Sequence, residues 1–123
     1  MAKRVLQDKY FKKAKTEGYA ARSAYKLKEL QERFELLQRG NRVLDLGCSP
    51  GSWLQVAAEY VGRPGLLVGV DLKPTAVNVR CECHTIVGDL NALDYDALIE
   101  LAGGKFDVVL SDMAPPTSGH QQV

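Results

Sequence analysis

Four aspartates and one lysine hold most of the chemistry this sequence could do. Asp71, Asp89 and Asp112 each close a short run of strand-forming residues, and Asp45 stands near the end of another. Ligands of open α/β sheets bind at the C-terminal ends of the strands. Four carboxylates gathered there disfavour a phosphate-rich ligand unless a metal accompanies it. They suit a ligand that is cationic or rich in hydroxyls. Any one of them taken singly reads better as a strand-end cap than as a ligand contact, so the site reading rests on the four together. Asp71 falls about twenty residues beyond a glycine turn, the usual place of an acceptor for a ribose hydroxyl pair. Lys26 lies about one turn into an expected helix, where the macrodipole mildly disfavours a cation. It is either incidental or placed for something else.

The glycine turn sits in RVLDLGCSPGSW, residues 42–53. Residues 42–46 read as a strand ended by Gly47, and Pro50 and Gly51 as a turn. Trp53, Leu54, Val56, Ala57 and Tyr60 then give the apolar face of a helix. Strand, glycine turn and helix start together make a ligand cradle: glycine lets the backbone approach, and the first helical N–H groups are unpaired. A dinucleotide fingerprint needs G-x-G-x-x-G. Here Ser49 takes the second glycine's place and leaves Gly47 and Gly51 as G-x-x-x-G, a poor wrap for pyrophosphate. The spacing fits better the open turn that receives the amino-acid end of S-adenosyl-L-methionine, with the Asp45 carboxylate facing the ligand. An α/β crossover without a ligand would carry the same stretch.

The elements that must position these residues follow from periodicity. Residues 10–18 form a lysine-rich, helical segment broken by Gly18. Ser23 is the expected N-cap of the next helix, along which Ala24, Leu27, Leu30, Phe34 and Leu37 recur at helical steps towards a stop at Gly40. Past the turn, strands are expected over 66–70, 84–87 and 106–110, the last with Val108, Val109 and Leu110 as a buried run. A helix is expected over 94–101, and residues 73–80 form a connection too short for one. Strands alternating with helical connections predict a mostly parallel, Rossmann-like α/β sheet.

The chain has 123 residues and a formal net charge of +1, which allows one domain at most. No apolar run is long enough for a membrane span, and no signal-peptide pattern opens the sequence. The expectation is a cytoplasmic protein with its three cysteines reduced. Cys81 and Cys83 precede His84 but lack the spacing of a zinc knuckle, so no metal is expected. The small net charge hides an asymmetry. Residues 1–30 hold nine basic and three acidic side chains, and residues 31–123 hold seven and twelve. A basic arm on an acidic body suggests a polyanionic partner; a solvated lysine-rich helix face is the plainer alternative.

The sequence resembles the FtsJ-like RNA ribose 2′-O-methyltransferases over nearly its whole length. The resemblance rests on EGYAARSAYKL (17–27), VLDLGCSPGSW (43–53), VDL (70–72), GD (88–89) and SDMAP (111–115). The glycine turn is common to methyltransferases; the RSAYKL helix and the SDMAP strand end are more specific and occur in the family's order. Within the family the chain is most similar to bacterial members acting on a uridine of large-subunit ribosomal RNA. The resemblance implies a class I methyltransferase fold over residues 41–123, preceded by a basic, helical, RNA-facing segment over 1–40. It implies S-adenosyl-L-methionine as cofactor and ribosomal RNA in the large subunit as partner. The turn at Gly47 and Gly51 and the helix start at Trp53 would hold the methionine part. Asp71 would hold the ribose, Asp89 would lie at the adenine, and Asp112 beside the sulfonium. In the family's Lys-Asp-Lys-Glu catalytic set, Lys26 and Asp112 match the first two members. Tyr19 and Tyr25 would be available to stack on bases.

Two departures from the family bear on activity. Ala20 stands where an arginine is usual, which removes one phosphate contact. The second lysine and the glutamate of the catalytic set fall beyond Val123. The expectation is therefore an N-terminal portion of the enzyme, with the first four strands of its sheet, that binds cofactor but transfers little or no methyl. Lys26 then orients the ribose hydroxyl or its phosphate, and Asp112 holds that lysine. The fourth strand becomes an edge open to self-association. The alternatives are a non-catalytic module for S-adenosyl-L-methionine or RNA, and a methyltransferase of another acceptor.

Overall fold

The computed structural model describes residues 12–112. The start of the lysine-rich segment and the last three residues of SDMAP lie outside them. Strands β1 (Arg42–Leu46), β2 (Leu66–Asp71), β3 (Glu82–Val87) and β4 (Val108–Ser111) form one parallel sheet in the order β3-β2-β1-β4. The chain steps outward from β1 to β3 and then returns to the far side of β1. That reversal places a topological switch point between β1 and β4, where the loops leaving the two strands diverge and a crevice opens.

Helices α1 (Ala24–Phe34) and α2 (Ser52–Val61) cover one face of the sheet, and α3 (Tyr95–Ala102) covers the other. Residues alternate along β1. Val43 joins Leu27, Leu54, Val56 and Leu67 on the α1/α2 face, while Leu44 joins Val68, Val70 and Leu98 on the α3 face. Both faces of β1 and β2 are buried, which is why they read as near-continuous apolar runs. Asp94 caps α3 by accepting the Ala97 N–H at 3.1 Å, and Gly103 ends it at φ 74°.

Three expectations are corrected. First, α1 stops at Phe34, short of Leu37 and Gly40. Glu35 takes a left-handed conformation at φ 49° and donates its N–H to Gln31 O at 2.8 Å. The buried Gln31 amide then brackets Leu37, donating to its carbonyl at 2.9 Å and accepting its N–H at 2.8 Å. Leu37 is therefore buried as expected, but it reaches the core from a loop, and Phe34 is left 58% exposed. Second, Ser23 precedes α1 without capping it through its side chain. Third, Val108–Leu110 is not uniformly buried: Leu110 is 6% exposed and Val109 56%. Strand β4 is an edge of the sheet, and Val109 projects on the face where α3 packs over the other strands. That exposure is all that speaks for pairing of this edge with a second chain.

Candidate functional site

The glycine turn is held against the tip of β2. Gly47 and Cys48 both donate their N–H to Val70 O, at 2.8 and 3.1 Å. Gly47 has φ 79° and Gly51 φ 113°, a region that side chains rarely adopt. A Cβ on Gly51 would clash with Val77 Cγ1. The space beside this glycine is thus filled by the connection over residues 73–80, which the Cys48 thiol also meets through Thr75 Oγ1 at 3.6 Å. What the turn leaves for a ligand is its backbone and the start of α2, whose N-cap is Gly51 with no side-chain cap.

The four aspartates occupy four different environments. The Asp71 carboxylate accepts the N–H of Lys73 on one oxygen and of Ser49 on the other, both at 2.9 Å. These bonds, the Lys73 one foremost, hold it below the usual carboxylate range. Asp45 is 1% exposed, and among the described residues neither of its oxygens has a hydrogen-bond partner. Burial first, then the nearby Asp112 and Asp71 charges, push it up to about 7. Its carboxylate lies beneath the edge rather than on the rim. Asp112 is raised by burial and pulled back by Lys26 and by the Ser23 hydroxyl. The Lys26 ammonium stands 4.0 Å from Asp112 Oδ1 and is largely exposed. Asp89 caps the 3₁₀ turn Leu90–Ala92, accepting the Asn91 N–H at 2.9 Å. With Gly47, Asp71, Leu72 and Leu90 it lines a cavity of about 240 Å³.

Trp53 is in the core, 5% exposed, and its indole N–H donates to Ser23 O at 2.8 Å. Only its backbone is left for a ligand at the helix start. Sequence reasoning missed Ser52, whose hydroxyl meets that of Ser23 at 2.7 Å, because a serine opening a helix reads as routine. It also missed Leu72, which is 70% exposed at the tip of β2.

The tyrosines of the basic arm are already engaged. Their rings meet edge to face at 5.8 Å. Lys28 sits over the Tyr19 ring at 4.7 Å and Lys13 over the Tyr25 ring at 5.0 Å. Their hydroxyls donate to Glu59 and Glu17. A base stacking on the lysine-covered face of either ring would have to displace that lysine. Among the described residues, no three metal-ligating side chains gather.

A parallel sheet with a switch point, a glycine turn after its first strand and acidic residues on successive strand ends defines a Rossmann-like ligand-binding domain. The sequence places it further: residues 19–123 match the FtsJ-like methyltransferase family, and the chain belongs to that family. It is 51% identical over 114 residues to the ribosomal RNA large subunit methyltransferase E of Syntrophobacter fumaroxidans, covering 93% of this chain and 58% of that protein. It is 49% identical over 118 residues to the protein of the same name from Desulfosudis oleivorans, covering 96% and 56%. A ribosomal RNA methyltransferase of known structure from Plasmodium falciparum matches with a TM-score of 0.62 at 33% identity, over 83% of this chain and 60% of that one. The chain thus spans somewhat more than half the length of these relatives.

Proposed function

We propose that this chain forms the cofactor-holding part of an S-adenosyl-L-methionine-dependent methyltransferase acting on the ribose 2′-hydroxyl of a uridine in large-subunit ribosomal RNA. The observation that carries this reading is the Lys26–Asp112 pair at the switch point, beside the acidic edge that also holds Asp45 and Asp71. A buried carboxylate without a partner is costly unless something positive or proton-bearing answers it. A cationic ligand with ribose hydroxyls fits these residues. S-adenosyl-L-methionine, when bound, supplies a methyl carbon activated on a sulfonium.

The roles follow from what each group has left to offer. Each Asp71 oxygen has a second lone-pair direction beyond its backbone bond, enough to accept ribose hydroxyls. The N–H groups of Gly47, Cys48 and Ser49 are already given to Val70 O and Asp71, so those at the start of α2, by Trp53, are the ones that suit the methionine carboxylate. Asp89, with the apolar walls of Leu72 and Leu90, suits the adenine. Asp45 and Asp112 offset the sulfonium charge.

Lys26 is assigned to orienting the acceptor hydroxyl or its phosphate. A lysine acts as a base only when neutral, which needs burial or a neighbouring cation. Lys26 is exposed and faces a carboxylate. Most of the rate gain in such a site comes from alignment. The exposed Lys12, Lys13 and Lys15 suit RNA phosphates. Among the described residues no helix is long and apolar enough to cross a membrane, and an acceptor in ribosomal RNA puts the work in the cytoplasm.

The test measures affinity and turnover separately. Calorimetric titration with S-adenosyl-L-methionine should give saturable binding that Asp71→Ala weakens at least tenfold. Labelled-methyl transfer to large-subunit RNA then separates an enzyme from a module that only binds. No saturable binding would refute the proposal.

A further inference from the structure

Ser23 lies where three elements meet: α1, the first turn of α2 and the end of β4. Its carbonyl oxygen accepts two N–H groups, the Trp53 indole at 2.8 Å and the Lys26 backbone at 3.1 Å. Its hydroxyl lies 2.7 Å from that of Ser52, which is 3% exposed at the first position of α2. The same hydroxyl acts on the Asp112 carboxylate. A serine that merely opened a helix would turn its oxygen onto the helix's own N–H groups, and this one does not.

The direction of the hydroxyl chain follows from the inventory of donors. An ionised carboxylate only accepts, so the lowering effect of this hydroxyl on Asp112 is that of an O–H donor. Its lone pairs are then free for Ser52, whose hydroxyl must donate. The chain runs from Ser52 through Ser23 to Asp112, and starts in the first turn of the helix that opens the ligand cradle. Through its carbonyl, Ser23 also fixes where the Lys26 backbone begins.

We propose that Ser23 is a positioning residue that locks the Lys26–Asp112 pair to the first turn of α2, so that the acceptor-side lysine and the donor-side turn keep one relative placement. This rests on the function proposed above, but its first readout does not. Carbon-detected NMR titration of the Asp112 carboxyl is carried out on the whole chain as parent, Ser23→Ala and Ser23→Thr. The Ser23→Ala midpoint should move up, because the donor that favours the charged form is gone. Ser23→Thr, which keeps hydroxyl and carbonyl, should titrate with the parent. Ser52→Ala removes the far end of the chain and should shift the midpoint in the same direction by less; it also serves if Ser23→Ala does not fold.

The second readout is S-adenosyl-L-methionine affinity by calorimetry, expected to fall roughly three- to tenfold in Ser23→Ala and to recover in Ser23→Thr. An Asp112 midpoint unchanged in Ser23→Ala, or in Ser52→Ala where that variant stands in, overturns the inference. So does a shift without any loss of affinity in a chain whose parent binds the donor. A parent that binds no donor overturns the functional proposal instead, while the titration still decides the role of Ser23 at Asp112.

Discussion

The backbone N–H of Ser49 donates to the Asp71 carboxylate across the tips of two strands, at 2.9 Å. The residue proposed to receive a ribose is therefore also the clamp that holds the glycine turn onto β2. Asp71→Ala should cost stability as well as affinity, about 1–3 kcal/mol for the two backbone bonds lost. The folded-state pKa of Asp71 is depressed, so its contribution is present above the unfolded value and fades as pH falls through the folded one. Denaturant unfolding should thus separate parent from variant at neutral pH and bring them together in acid.

Asp45 carries the opposite sign. Its folded-state value is raised to about 7 from an ordinary 3.8. The folded protein therefore holds a proton that the unfolded chain releases, and stability falls as pH rises between those two values. Above that window the ionised, unpartnered carboxylate is a standing cost. Asp45→Asn removes the charge, and should raise stability by about 1–3 kcal/mol at about pH 8 and by less in mild acid. If Asp45 answers the charge of a cationic ligand, the same substitution should weaken S-adenosyl-L-methionine binding. Unfolding curves at two pH values, with titration calorimetry beside them, check both outcomes.

Gln31 holds the loop after α1 by donating to and accepting from the Leu37 backbone. Gln31→Leu fills the same volume but leaves both Leu37 groups without their partner. It should cost about 2–4 kcal/mol, read as a lower denaturant midpoint with an unchanged slope.

Helical steps from Ala24 to Leu37 could not reveal that loop, because burial was the right reading of Leu37 and helix the wrong one. Apolar spacing records which side chains enter the core, not which backbone carries them. The same limit applied at Val109, where an apolar run suggested burial on both faces and an edge position left one open. By contrast, β1 fell on residues 42–46 as expected, since Gly47 marks its end in the sequence itself. The four aspartates were legible as strand ends. Their differences were not: a desolvated Asp45, a clamped Asp71 and a lysine-facing Asp112 depend on neighbours far along the chain. Ser23 was visible only as a cap, because its partners Ser52 and Trp53 are about thirty residues away.

Gly51 is required for two separable reasons, a positive φ and the contact with Val77. Gly51→Ala should destabilise the chain by about 2–4 kcal/mol. In a Val77→Ala background the steric share disappears and the cost of φ 113° remains, so the penalty should drop to about 1–2 kcal/mol. A double-mutant cycle with equal penalties in the two backgrounds would mean that residues 73–80 do not rest on the turn.

The basic arm is the part of the proposal that salt can test. Lys12, Lys13 and Lys15 are exposed, so replacing all three with glutamate should leave the unfolding midpoint close to the parent's. Lys13 also covers the Tyr25 ring, a contact worth about 0.5–1 kcal/mol at an exposed site, which sets the largest stability change to expect. The effect on RNA should be far larger. Each lysine that neutralises a phosphate releases counterions, contributing about 0.7 to the slope of log affinity against log salt on single-stranded RNA. Losing three such contacts should flatten that slope by about 2, and weaken binding most at low salt. Equilibrium binding to a large-subunit RNA fragment over a salt series gives the slope directly. A variant with the parent's slope would move the RNA contact away from this arm, whatever its affinity at a single salt concentration.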